Sequence, residues 1–200
     1  DDRFGTCLEI ADAYKEVLGV EEFDTVIIAT GWKSGDALSG SYLAYQKKAP
    51  IILTDATAAR IENAVEYVKE NLKEGGKVYI LGGTAAVPEE VEGQLTGFDV
   101  TRLAGADRFE TNLAILEEAG VKGGEIIVAT AWQAGDSLSA SATGKPILLV
   151  EKDKALNDKQ VEFLEELTDA KFYIAGGTSA VADSVKEELS SYTSQEIERL

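Results

Sequence analysis

The chain repeats itself, and that duplication constrains its fold more than any other feature. Thr25-Val-Ile-Ile-Ala-Thr30 returns as Glu125-Ile-Ile-Val-Ala-Thr130, and Gly35-Asp-Ala-Leu-Ser39 as Gly135-Asp-Ser-Leu-Ser139, both at an offset of 100 residues. Pro50-Ile-Ile-Leu53 matches Pro146-Ile-Leu-Leu149 at 96, and Gly82-Gly-Thr-Ala-Ala-Val87 matches Gly176-Gly-Thr-Ser-Ala-Val181 at 94. Arg3-Phe-Gly-Thr6 matches Arg108-Phe-Glu-Thr111 at 105. The drift places a few deletions in the second copy, between matched blocks, where loops and helix ends are expected. The join is expected near Leu103 to Asp107, giving copies of residues 1–103 and 104–200. Units of this size bury roughly two-thirds of their unfolded surface, enough for independent cores.

Within a copy, short apolar runs alternate with helical periodicity. Cys7, Ile10, Ala11, Tyr14, Val17 and Leu18 form one helical face. A strand is expected over residues 24–30, a helix from about Asp36 to Lys47, and a second strand from Pro50. A helix from about Thr57 to Leu72 turns Ile61, Ala64, Val65, Val68 and Leu72 inward. A third strand covers Lys77 to Leu81, Pro88 opens a short helix, and a last strand runs near Phe98 to Leu103. Buried strands separated by helices imply an α/β fold: two tandem, doubly wound units, each a mainly parallel sheet with helices on both faces.

Charge and composition narrow the function. There are 19 Lys and Arg against 36 Asp and Glu, a net charge of −17 shared by both copies. A field of that sign repels nucleic acid and anionic lipid, so neither is expected as a partner. No apolar run approaches the ~18–20 residues that span a bilayer. One Cys (Cys7) and no His exclude an internal disulfide, imidazole metal sites and His-based acid–base catalysis. No cofactor, metal or catalytic residue is expected. A carboxylate-dependent hydrolase is the remaining enzymatic alternative. The opening Asp-Asp-Arg, without Met, reads as an excised piece. Glu198-Arg-Leu200 aligns with Thr101-Arg-Leu103, so the sequence stops where a third copy would begin.

In a parallel α/β unit the ligand crevice lies at the carboxyl ends of the strands, and three matched blocks fall there. Gly31-Trp-Lys-Ser-Gly-Asp36 and Ala131-Trp-Gln-Ala-Gly-Asp136 offer Asp36 and Asp136 as helix caps or ligand contacts. They offer Trp32 and Trp132 as sugar-stacking faces or hydrophobic plugs. Gly82, Gly83 and Thr84, with Gly176, Gly177 and Thr178, form either an anion cradle at a helix N-terminus or a turn needing positive φ. Arg3 and Arg108 present planar donors suited to carboxylate or phosphate, or join an Asp–Arg pair that locks copy to copy. Arg102 and Arg199 also match but sit inside the last strand, where a sheet contact is expected.

Taken in order, Asp-Arg-Phe-x-Thr, Ala-Thr leading to Gly-Asp-(Ala/Ser)-Leu-Ser, Pro-Ile-(Ile/Leu)-Leu and Gly-Gly-Thr-x-Ala-Val resemble the cell wall-binding repeat type 2 family. That family occurs in surface-layer and wall-associated proteins of Gram-positive bacteria, notably clostridia. The resemblance implies a Toprim-like module, usually in three copies about a pseudo-threefold axis. It also implies secretion and non-covalent anchoring to an anionic secondary cell-wall polysaccharide. By position it points to Arg3, Arg108 and the Gly-Gly-Thr loops as ligand-binding residues, with the wall polymer and further copies of the repeat as partners. A structural or protein–protein spacer is the alternative.

Overall fold

Val26, Ile27, Ile28 and Ala29 are all fully buried, and a strand hidden on both faces belongs in the middle of a covered sheet. This strand, β1 (Phe23–Thr30), is central in the computed structural model, which describes residues 2–200. Chain order in the first copy is α1 (Arg3–Leu18), β1, α2 (Ser34–Ser39), α3 (Ser41–Lys47), β2 (Ile51–Thr54), α4 (Ala58–Asn71), β3 (Leu72–Leu81), α5 (Glu89–Gln94) and β4 (Asp99–Leu103). The second copy has α6 (Arg108–Glu118), β5 (Gly123–Thr130), α7 (Ala134–Ser141), β6 (Ile147–Val150), α8 (Asp158–Glu165), β7 (Thr168–Ile174), α9 (Asp183–Leu189) and β8 (Glu198–Arg199).

Each copy forms its own four-stranded sheet, ordered β2-β1-β3-β4 and β6-β5-β7-β8. Every pairing is parallel, so the two doubly wound α/β units are present as expected. The order reverses between β1 and β3, which puts a crevice beyond Thr30 and Leu81.

The faces of the first sheet follow the two-residue strand period. Val26, Ile28, Val78 and Ile80 cluster with Ile61, Ala64, Val65 and Val68 of α4 and Val91 of α5. Ile27, Ala29, Tyr79 and Leu81 face the other way, toward Leu43 of α3, and there they join Leu113, Ile115 and Leu116 of α6. The cores are therefore not independent. Helix α6 packs on β6 and α8 of its own copy and on α2, α3 and β4 of the first. Polar contacts cross the join too: Asn112 Nδ2 donates to Ser39 Oγ (3.1 Å), and Tyr79 Oη to Glu118 Oε1 (2.6 Å).

Three details differ from the sequence expectation. The helix expected from Asp36 to Lys47 is two helices meeting at Gly40, where any Cβ would lie 2.4 Å from Leu81 Cδ1. In the second copy the first deletion shortens the first helix, α6 against α1, and the second falls in the α3 region, where only a turn follows Ser141. The apolar face of α1 is covered only in part: Ala11 is buried and Tyr14 and Leu18 pack on the core, but Ile10 is 64% and Val17 82% exposed. Ile115, which matches Ile10, is fully buried. The same helical position is core where a preceding copy packs on it and surface where none does.

Candidate functional site

One Asp-Arg pair starts the first helix of each copy, and the roles of its two residues are divided. Asp2 and Asp107 have extended backbones and cap α1 and α6. Asp2 Oδ1 accepts from the N–H of Phe4 and Gly5, and Asp107 Oδ1 from Phe109 and Glu110. The arginines turn to the strand ends of their own copy. Arg3 Nη1 donates to the Gly31 carbonyl (2.7 Å) and Arg108 Nη1 to the Ala131 carbonyl (2.8 Å). Each guanidinium lies over a Trp, Arg3 on Trp32 (4.7 Å to the ring centroid) and Arg108 on Trp132 (3.9 Å). The alternative, an Asp–Arg lock between copies, does not form among the described residues: each of these carboxylates caps its own helix. Asp2 also pairs with Arg60.

Trp32 and Trp132 are not hydrophobic plugs: they are 63% and 56% exposed. Their indole N–H groups donate to Asp55 Oδ2 (3.0 Å) and Glu151 Oε2 (2.6 Å). Both rings border one cavity of about 210 Å³ with Lys33, Arg108 and Gln133.

Asp36 and Asp136 do not cap their helices. The cap positions are Lys33 and Gln133, and each Asp sits within the first turn. Asp36 instead lies against the Gly82 turn, where a Cβ on Gly82 would come 2.6 Å from Asp36 Oδ2; for Gly176 and Asp136 the distance is 2.3 Å. Gly82 and Gly176 have φ of +95° and +98°, so the positive-φ reading of the glycine pair applies at its first residue. The anion cradle at a helix N-terminus does not form. The loop runs into a turn closed by bonds from Ala86 and Val87 N–H to the Gly83 carbonyl, and α5 begins only after Pro88. Thr84 and Thr178 are exposed and make no hydrogen bond among the described residues.

The copies complete one groove between them. Lys33, Asp36, Gly82 and Gly83 of the first and Asp107 and Arg108 of the second line a cavity of about 250 Å³. Burial pushes the Asp36 carboxyl above its ordinary range, while the charges of Arg108 and Lys33 pull it back. The second copy holds the equivalent Asp136, Gly176 and Gly177 without a following copy's Arg. Arg3 stands apart, beside Trp32 and Arg60.

A profile described as "Cell wall binding domain 2 (CWB2)" matches residues 1–92 and again 102–186. The chain belongs to the cell wall binding domain 2 family. It is thus a tandem pair of cell wall-binding domains, and its place is at the wall or cell surface. It is 26% identical over 197 residues to N-acetylmuramoyl-L-alanine amidase LytC of Bacillus subtilis, covering 96% of this chain and 38% of the relative. The amidase enhancer of the same organism is 27% identical over 190 residues, 86% of this chain and 25% of the relative. Cwp8 from Clostridium difficile superposes over the whole chain with a TM-score of 0.84 at 28% identity, covering 34% of that protein. Cwp6 from the same organism superposes over 99% of the chain and 32% of its own length, with a TM-score of 0.80 at 24% identity. The chain spans well under half the length of these relatives.

Repeat matching missed Lys33, because Gln133 replaces it in the second copy. It also missed the indole acceptors Asp55 and Glu151, which differ between copies and lie outside the matched blocks.

Asp36 gives a pH prediction. Its folded pKa is raised above the unfolded value. The stabilisation from protonation is therefore full below the ordinary carboxylate range and lost as pH rises through the raised value. Ionised at neutral pH, Asp36 costs stability. Asp36→Asn is expected to raise the melting temperature at pH 7 and to leave it unchanged near pH 3. A drop at pH 7 would mean that attraction to Arg108 outweighs burial.

Proposed function

We propose that this module holds an anionic secondary cell-wall polysaccharide, without catalysis, in the groove where one copy meets the next. The observation that carries this reading is Arg108 beside Asp36 and the Gly82–Gly83 turn, at the carboxyl ends of the strands. A chain at −17 cannot attract an anionic polymer by its mean field, since repulsion extends over a Debye length of roughly 8 Å at physiological salt. Retention must come from short, directional contacts to a local cation, and a guanidinium held by Trp132 and the Ala131 carbonyl is such a cation. Arg3 on Trp32 is its counterpart at the other end. In this reading the module anchors a secreted or surface-layer protein, and the copies divide at Leu103 and Ala104.

Further copies of the repeat are the second partner we propose, and a specific asymmetry favours them. On the first copy, Cys7, Ile10 and Tyr14 of α1 with Ala37, Leu38 and Ile51 line an open apolar groove of about 540 Å³. On the second, Leu138 is 62% exposed, and Tyr173 is only half-buried where the matching Tyr79 is buried. These are the two halves of the join already made once between the copies. A following repeat, or a second molecule, would cover them head to tail.

The test is retention on purified wall polysaccharide against peptidoglycan, with Arg108→Lys beside the wild type. The variant keeps the charge and loses the planar fork. It should lose about tenfold or more in retention, a charge-assisted contact being worth about 1.5–3 kcal/mol, with its melting temperature kept within a few degrees. Equal retention of wild type and variant, or retention on peptidoglycan alone, would overturn the reading. Melting that falls first, with retention following in proportion, would make Arg108 a fastener between copies.

A further inference from the structure

Arg102 and Arg199 lie in the sheet as expected, and their side chains reach beyond it. Arg102 pairs in register with Ile80, and Arg199 with Ile174. From there each side chain reaches the glycine turn. Arg102 Nη1 donates to the Gly82 carbonyl (2.8 Å) and Arg199 Nη1 to the Gly176 carbonyl (2.9 Å). Each is braced by a carboxylate on the helix that precedes its strand. Arg102 Nε donates to Glu92 Oε1 (3.1 Å), and Arg199 Nη2 to Asp183 Oδ1 (2.9 Å). Arg102 Nη2 also lies 3.1 Å from Glu92 Oε2, within ion-pair reach but without hydrogen-bond geometry.

The peptide after each glycine is trans, so its carbonyl and N–H point in opposite directions. A guanidinium that fixes the Gly82 carbonyl toward β4 turns the Gly83 N–H the other way. Among the described residues that N–H and its counterpart on Gly177 have no hydrogen-bond partner, and Gly83 borders the groove that Asp36 and Arg108 share. A glycine at φ near +95° has no side chain to restrain it, so the arginine supplies the restraint.

We infer that Arg102 and Arg199 are positioning residues: each orients one backbone N–H of the Gly-Gly turn as a donor for an oxygen of the bound polymer. This rests on the groove being the binding site. Only the Gly83 donor faces a groove completed by a second copy's Arg, so only Arg102 bears on retention in this two-copy chain.

The test compares Arg102→Lys and Arg199→Lys in the whole chain. One Lys ammonium lacks the fork that spans carbonyl and carboxylate. Amide resonances of Gly83 and Gly177 are read by ¹H–¹⁵N NMR, and retention is read on anionic polysaccharide extracted from a Gram-positive wall. Arg102→Lys should move the Gly83 resonance, leave that of Gly177 in place, and lower retention about three- to tenfold, the worth of one hydrogen bond. Arg199→Lys should move Gly177 alone and leave retention unchanged. An unmoved Gly83 resonance, or a moved one with full retention, would overturn the inference. If Arg102→Lys unfolds the first copy, Arg199→Lys still decides the clamp through Gly177. If wild type is not retained at all, the groove reading fails, and the inference with it, whatever the amides show.

Discussion

Ile115→Ala is expected to destabilise the chain by about 2–5 kcal/mol, the usual cost of emptying a core isoleucine site, while Ile10→Ala changes stability by less than about 0.5 kcal/mol. The two residues occupy one position of one helix in the two copies. Ile115 is fully buried in the cluster that also holds Leu43, Tyr79, Leu81 and Leu103 of the first copy, whereas Ile10 is 64% exposed. Helix propensity is the same at both sites, so the difference measures the packing of one copy on the next. Equilibrium denaturation of both variants reads it directly. A cost at Ile10 equal to that at Ile115 would mean that the α1 groove is already filled, by self-association for example. The Ile10 cost would then fall on dilution.

Gly82→Ala is expected to cost about 2–4 kcal/mol, and Gly83→Ala within about 0.5 kcal/mol of nothing, from left-handed strain and overpacking at the first site and neither at the second. At Gly82 φ is +95° and a Cβ would come 2.6 Å from Asp36 Oδ2; at Gly83 nothing lies within 4 Å. The cost at Gly82 should shrink in an Asp36→Ala background, since part of it is the clash and part the backbone. Gly176→Ala should behave the same way against Asp136, where the distance is 2.3 Å. Equal melting temperatures for the Gly82 and Gly83 variants would mean that the turn is not held against Asp36.

The architecture was legible because the strands are buried on both faces and the duplication gives each element two readings. Ile61, Ala64, Val65, Val68 and Leu72 all point inward as their spacing required. What periodicity could not supply was which apolar face a neighbour would cover. Ile10 and Val17 have the same hydropathic signal as buried residues, and only the partner helix distinguishes them. Matching blocks singled out Arg3, Arg108, the two Trp and the glycine turns, of which Arg108 and the Gly82–Gly83 turn line one groove and Arg3 stands apart. Chemistry within a block was harder to assign. Asp107 and Arg108 are adjacent, but one serves the helix N-terminus and the other the strand end. Asp36 precedes a helical run like a cap, yet the helix starts earlier and the carboxylate meets a turn 46 residues on. Such pairings are set by the strand order, which brings β1 and β3 together.

Because the proposed binding groove between Asp36 and Arg108 takes one wall from each of two successive copies, the valency of an array in that reading is not its number of repeats. An open array of n copies has one groove fewer than n, and an array whose last copy meets its first has n. The join is heterologous, so its geometry decides between closure and an endless row. Each added groove on one polymer strand turns a second contact into an intramolecular one, so that residence time grows far faster than repeat number. Two copies are the smallest unit in which such a site exists.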